Sequence, residues 1–220
     1  MDFDTIFTGF NSKRLLIVGD AMIDAYMWGE INRMSPEAAV PVVEVKKHEN
    51  RLGGAANVAL NLQSLGATPI LCSVIGNDSQ SVFFEELMQD AGLTTKGLLT
   101  SNEKRTTVKT RVIANNKHQV RIDEEDTHPI TVETQFLNLI KELIPNVDVV
   151  ILQDYNKGVL TPKVITEVIE IANAKRIPTV VDPKKQHFLT YKNCTLFKPN
   201  LAEIQAGMNI DINADNTQEI

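Results

Sequence analysis

Residues Arg51–Ala67 read RLGGAANVALNLQSLGA: a glycine pair, an asparagine and an alanine-rich segment. Gly53 and Gly54 lack a Cβ, so the chain can turn sharply there and another group can approach the backbone closely. From Ala55 the pattern is helical. Val58, Leu62 and Leu65 fall at i, i+4 and i+7 and form one apolar stripe. Ala55, Ala56 and Ala59 are small enough for the helix to lie tight against a sheet. Gly66 ends it, as glycine does just past a helix. Asn57 falls in the first turn, where an amide both donates and accepts beside backbone N–H groups that have no helical partner. The stretch is either a glycine turn leading into a core helix or a helix start facing a ligand.

Working outward, the chain alternates strands and helices. Arg14–Val18 is a continuous apolar run stopping at Gly19-Asp20, the signature of a buried parallel strand. Asp20 and Asp24 follow it, at the end of the strand where α/β sheets bind ligands. Asp20 reads as a turn aspartate and Asp24 as a functional one. Residues 25–48 are not helical: Tyr26, Trp28 and Ile31 alternate with other residues, Met34-Ser35-Pro36-Glu37 breaks the run, and Val40–Val45 is a strand. The proline within that strand suggests an edge. This β excursion has the look of a lid or an interface.

After Gly66 the expected elements are a strand over Pro69–Ile75, a helix over Ser79–Ala91 and a short strand at Leu98–Leu99. Thr106–Ala114 and Gln119–Asp123 flank Asn115-Asn116-Lys117-His118, a hairpin signal and a second β excursion over about 105–124. Lys109, Arg111 and Arg121 on this hairpin are either solvated edge charges or a cationic clamp for an anionic group. A helix over Thr131–Ile144 precedes a strand over Val147–Leu152, which ends in Gln153-Asp154. Thr161–Ala174 is a helix with Pro162 in its first turn. Short strands Thr179–Val181 and Cys194–Phe197 end at Asp182-Pro183-Lys184 and Lys198-Pro199-Asn200. Asn200 opens a last helix with Glu203 at capping-box spacing, and residues 211–220 are polar with no strand. The order predicts an α/β fold, an open and mostly parallel sheet with helices on both faces, plus a small β lid. Asp20, Asp154, Asp182 and Asn200 recur at successive strand ends and describe one polar crevice.

Composition narrows the function. The 220 residues carry 43% hydrophobic and 23% charged residues and a net charge of −6, with Lys and Arg scattered, so a nucleic acid partner is not expected. The longest apolar runs fall far short of the ~20 residues of a membrane span, and the acidic N-terminus is no signal peptide. No membrane partner is expected either. Cys72 and Cys194 read as reduced thiols in strands of a cytoplasmic protein. His48, His118, His128 and His187 make no zinc spacing. The chain has no Gly-x-Gly dinucleotide fingerprint, P-loop or G-x-S-x-G. What remains suits a small polyhydroxylated substrate.

The Gly19-Asp20…Asp24 start, Gly53-Gly54-Ala55-Ala56-Asn57 with Leu65-Gly66-Ala67, and Asn200-Leu201-Ala202-Glu203 together resemble the ribokinase-like (PfkB) carbohydrate kinases. Within that family, GDAMIDAYMWGEINRMSPEAAVPVVEV, TVKTRVIANNKHQVRID, LQDYNKGVL and VVDPKK resemble the kinase domain of the bifunctional heptose-7-phosphate kinase/heptose-1-phosphate adenylyltransferases, which contribute ADP-heptose to lipopolysaccharide. The Ser35–Val42 run is the most specific piece, and the resemblance covers nearly the whole chain.

It implies transfer of the ATP γ-phosphoryl group to the anomeric hydroxyl of D-glycero-β-D-manno-heptose 7-phosphate. Asp24, Gly53, Gly54 and Asn57 would hold sugar hydroxyls. Lys109, Arg111 or Arg121 would hold the sugar phosphate. Asn200 and Glu203, with Asp182 and Lys184 close by, would serve ATP and Mg²⁺. The resemblance also implies a homodimer through the β lid. The family's D-T-x-G-A-G-D motif, which carries its catalytic base, does not occur here, and the last glycine is Gly207. The expectation is therefore the N-terminal portion of a ribokinase-like domain over 1–220, with the base and the C-terminal part of the fold outside it. Alternatives are a kinase for another sugar or a non-catalytic sugar-binding or dimerisation fragment.

Overall fold

The structure, a computed structural model, describes residues 2–211. A short helix α1 (Phe3–Phe10) leads into strand β1 (Arg14–Gly19). Then come β2 (Ala21–Met34), β3 (Pro41–Gly54), α2 (Ala55–Ser64), β4 (Thr68–Gly76), α3 (Ser79–Asp90) and β5 (Leu98–Ser101). The hairpin β6 (Val108–Ala114) and β7 (Lys117–Glu124) precedes α4 (Glu133–Leu143), β8 (Val149–Gln153) and α5 (Pro162–Ala174). The last elements are β9 (Thr179–Asp182), β10 (Leu196–Phe197) and α6 (Leu201–Met208).

Six strands form a parallel sheet in the order β10-β9-β8-β1-β4-β5. β1 is central because it is apolar on both faces. Leu16 and Val18 pack with Phe136, Leu137 and Ile140 of α4 and Ile165 and Val168 of α5. Leu15 and Ile17 pack on the other side with α2 and with Phe84 and Met88 of α3. Each fully buried large side chain of this kind contributes roughly 1.5–3 kcal/mol, so the two faces lock the register of the sheet. Helices therefore cover both faces, as the β/α alternation predicts.

The second sheet, β3-β2-β6-β7, grows from the end of β1. It is larger than expected: the predicted excursion starts near residue 25 with a strand at Val40–Val45, whereas β2 and β3 are 14 residues each and run through Asp24 and the glycine pair. Register shifts at Trp28/Gly29 and Ile31/Arg33 interrupt the alternation that would announce so long a strand. β3 is an edge strand starting at Pro41, as its proline suggests. The hairpin turn is tighter than the four residues read from sequence. Asn115 and Asn116 alone take positive φ, 51° and 60°, and Ala114 pairs with Lys117. That is the primed two-residue turn asparagines favour.

Three local readings are corrected. The buried face of α2 is Ala55, Ala56 and Ala59, while Val58 and Leu62 are partly covered and Leu65 is exposed. The alanines let the helix sit close to the sheet and turn the larger side chains to its flank. Cys72 is buried in β4, where burial pushes its thiol pKa up, but Cys194 lies before β10 rather than in it. Helix α4 begins at Glu133, not Thr131. Residues 212–220, most of the polar tail, lie outside the described residues.

Candidate functional site

The crevice at the carboxyl edge of the main sheet divides into scaffold and site. Asp20 is scaffold. It is 1% exposed and accepts backbone N–H bonds from Tyr155 (2.9 Å), Lys157 (3.1 Å) and Val159 (3.0 Å). The turn reading of Asp20 is corrected: it is the buried anchor of a loop more than 130 residues away in sequence. Burial drives its carboxyl above the ordinary range, against the backbone N–H groups of Tyr155 and Lys157. Lys104, also buried, donates to the carbonyls of Asp126 (3.1 Å) and Lys157 and ties the same loop to the root of the hairpin. Burial lowers its pKa, against the attraction of Asp20. Asp154 is scaffold too, accepting from Asn156 N (2.7 Å) and the Tyr191 hydroxyl (2.8 Å). Burial and the Asp154 charge push the Tyr191 hydroxyl upward.

The outer end of the crevice holds the residues that resemble an ATP-side set. Asn200 and Glu203 close a capping box at the start of α6: the Asn200 side chain accepts from Glu203 N (2.9 Å) and the Glu203 carboxylate from Asn200 N (2.8 Å). The other Glu203 oxygen takes the Lys184 ammonium. Partial burial works against the Lys184 charge, but Glu203 holds its pKa above the usual value. Asp182 at the end of β9 accepts from Gln153 (2.8 Å) and pairs with Lys198 (3.3 Å). So bonds link Asn200, Glu203 and Lys184, and the Asp182 charge acts on Lys184 beside them. No group of three or more His, Cys, Asp or Glu placed to hold a metal occurs among the described residues.

The inner end is a cleft of about 550 Å³ lined by Asp24 and Tyr26 of β2, Arg51 of β3, Asn57 of α2 and Asp90 of α3. Asp24 Oδ1 accepts from the Arg111 guanidinium. The hydrogen bond to Asp24 raises the Arg111 pKa. Gly53 explains the other oxygen. A Cβ there would lie 2.6 Å from Asp24 Oδ2 and 2.9 Å from Met22 Cγ, so any larger residue would shift this carboxylate from its place. Gly54, with φ +59°, turns the chain into α2, and a Cβ there would lie 2.4 Å from the Asp20 carbonyl oxygen. Both glycines are buried against β2, so their smallness serves the scaffold that aims Asp24. Asn57 is exposed in the first turn of α2 and lines the same cleft.

The three hairpin cations fare differently. Lys109 is held between Asp123 (3.0 Å) and Glu125 (2.6 Å), and Arg121 grips Asp123 with two bonds on the exposed edge strand. Only Arg111 reaches Asp24. Reading the sequence missed Arg51, although it opens the organising stretch, and Tyr155. The Lys184 ammonium lies 5.9 Å from the Tyr155 ring, and the hydroxyl is held above its ordinary pKa by burial and by Asp182, with Asp24 adding to the effect. Tyr155 thus stands between the two ends of the crevice. Its signal was its place directly after Asp154 at a strand end.

Residues 12–219 match the family described as pfkB family carbohydrate kinase. Over 204 residues the chain is 41% identical to the bifunctional protein HldE of Helicobacter pylori (strain J99 / ATCC 700824), covering 92% of this chain and 44% of the relative. It is 40% identical over 211 residues to the bifunctional protein HldE of Trichlorobacter lovleyi, covering 95% and 43%. The chain spans less than half the length of these relatives. Among solved structures, phosphofructokinase-2 from Escherichia coli in its tetrameric inhibited form superposes with a TM-score of 0.67 at 17% identity, covering 94% of this chain and 67% of that one. Arabidopsis thaliana ribokinase complexed with ribose and ATP gives 0.65 at 15%, covering 94% and 66%. These two likenesses concern the fold alone. With the parallel sheet, the second sheet and the family match over nearly its whole length, the chain belongs to the pfkB family of carbohydrate kinases.

Proposed function

We propose that this chain forms the substrate-binding portion of an ATP- and Mg²⁺-dependent kinase that phosphorylates the anomeric hydroxyl of D-glycero-β-D-manno-heptose 7-phosphate. The observation that carries the reading is the cleft shared by Asp24 and Asn57, with Gly53 making room for the Asp24 carboxylate. An ionised carboxylate accepts from sugar hydroxyls, and an amide both donates and accepts, so the pair suits a polyol. Identity near 40% to the two HldE proteins over more than nine-tenths of the chain supports the heptose branch.

At the outer end, Lys184 offers a cation to nucleotide phosphates, and Asn200, Glu203 and Asp182 offer polar groups beside it. Glu203 and Asp182 already have cationic partners, and no closed cage of acids occurs among the described residues. That donor set fits Mg²⁺ carried largely by phosphate oxygens and water. Bound there, Mg²⁺ would offset charge on the transferring phosphoryl group. Gly53, Gly54 and Asn57 position the sugar, and the second sheet acts as a lid that excludes water. The exposed Val45, Val120 and Ile122 of the second sheet support a homodimer formed through it. The natural full-length protein is expected to work in the cytoplasm. No helix of the described residues is long and apolar enough to cross a membrane.

The test is ATP-dependent turnover by the natural full-length protein, followed by ³¹P NMR. A new anomeric phosphate on heptose 7-phosphate, absent with ribose or fructose 6-phosphate, is the expected result. Turnover of another sugar with none of the heptose phosphate would overturn the reading.

A further inference from the structure

We infer that Arg51 and Arg111 form the anion subsite of the cleft around the Tyr26 ring, and that it takes a phosphate monoester carried at the far end of the sugar. The inference rests on the sugar-phosphate reading above and deepens it, because Arg51 has no role there and Arg111 is one of three candidates.

Arg51 and Tyr26 line the cleft, and Arg111 reaches its wall through Asp24. In the strand order β3-β2-β6, Tyr26 lies on the central strand and the two arginines come from the strands on either side. The Arg51 guanidinium carbon is 5.1 Å from the Tyr26 ring centroid and that of Arg111 is 5.5 Å. Both are at cation–π distance, so each guanidinium lies against the one ring. A guanidinium has five N–H donors in a planar fork. Arg111 spends an Nη1 donor on Asp24, and Arg51 uses Nε and Nη2 on Glu49, so both keep donors for a phosphate. The Arg51–Glu49 pair is largely exposed at the arginine end, 58%, and such a pair is easily exchanged for a ligand.

The cleft also has a direction. Asp90, on the α3 wall, disfavours an anion there. Asp24 and Asn57 favour hydroxyls, so the charge is left to the Tyr26 end. Tyr26 is two residues beyond Asp24 on the same face of β2, roughly 7 Å along the strand. That is about the reach from a sugar ring to a phosphate on its exocyclic carbon. Lys109 and Arg121 are instead both paired with Asp123.

The experiment is calorimetric titration of the 220-residue chain and its Arg51→Gln variant with heptose 7-phosphate and with unphosphorylated heptose, and competition of the former by inorganic phosphate. Arg51 is the arginine to change because it does not touch Asp24. The expected result is roughly tenfold or greater loss of heptose 7-phosphate affinity in Arg51→Gln, the loss expected for one charge-assisted contact. Affinity for unphosphorylated heptose should stay within about threefold, and Arg51→Lys should recover part of the loss. Equal affinity of the unsubstituted chain and Arg51→Gln for heptose 7-phosphate would overturn this inference while leaving the sugar-phosphate reading standing. Equal loss for both sugars would also overturn it, since Arg51 would then serve the sugar rather than its phosphate. If the unsubstituted chain binds heptose but gains nothing from the 7-phosphate, both the anion subsite and the phosphorylated substrate are wrong.

Discussion

Replacing Asp20 by asparagine tests the buried anchor on which the crevice depends. Its two carboxylate oxygens take three backbone N–H groups: Oδ2 those of Tyr155 and Lys157, and Oδ1 that of Val159. The amide can keep at most one oxygen toward them. If that oxygen faces Tyr155 and Lys157, the NH₂ group confronts the Val159 N–H and one buried donor is left unpaired. Losing one charge-assisted bond and weakening two others costs about 3–4 kcal/mol. Burial already opposes the ionised form of Asp20, so a neutral side chain recovers part of that cost. The loss of the bonds outweighs that recovery, so the net effect is a destabilisation, on the order of 2 kcal/mol for a buried donor left unpaired, or a Tm drop of about 4–8 °C for a chain of this size. Thermal melting reads the total. Hydrogen exchange reads the location: the amides of Tyr155, Lys157 and Val159 should lose protection by tenfold or more, while those of β4 keep theirs. A Tm within 1 °C with those three amides equally protected would refute the anchor.

Three further outcomes follow from the same structure. In Gly53→Ala the new Cβ would lie 2.6 Å from Asp24 Oδ2 and 2.9 Å from Met22 Cγ; the chain should still melt cooperatively but lose roughly tenfold in sugar affinity, and unchanged affinity would mean that the position of Asp24 is not used. Glu125 is opposed by burial, yet bonds from Lys109 (2.6 Å) and Lys157 (2.7 Å) hold its pKa below the usual 4.5. Its stabilisation is therefore present above pH 4.5 and lost as pH falls through the folded-state pKa, so Glu125→Gln should lower the Tm at pH 7 and converge with the unsubstituted chain once the pH is below that folded-state pKa; a gap that persists in acid contradicts this. Sedimentation should find a dimer that Val120→Asp with Ile122→Asp dissociates, and identical mass before and after would remove the second sheet as the interface.

The parts of this fold that the sequence made legible are those set by nearby residues. The run Leu15–Val18 marked a strand buried on both faces, Pro162 and Gly66 marked helix ends, and Asn200 with Glu203 marked a capping box whose bonds are all local. What stayed hidden depends on distant partners or on small residues. Asp20 looked like a turn residue because its three donors lie beyond residue 154. The face of α2 was misjudged because alanines, which carry little apolar signal, make the contact. The hairpin cations could not be sorted by alternation, since Lys109 and Arg111 share a face of β6 and differ only in whether a neighbouring strand supplies Asp123 or Asp24. Arg51 drew no attention because its meaning comes from Tyr26, on another strand.

The central claim is that the cleft bounded by Asp24 and Asn57 binds a heptose phosphate, and direct calorimetric titration of this chain with heptose 7-phosphate tests it most plainly. Ribose and fructose 6-phosphate serve as controls, with Asp24→Ala and Asn57→Ala alongside. The account predicts saturable binding of heptose 7-phosphate, no comparable heat from either control, and loss of binding in both variants while each still melts cooperatively. Full binding retained in both variants, or an equal response to all three sugars, would contradict it.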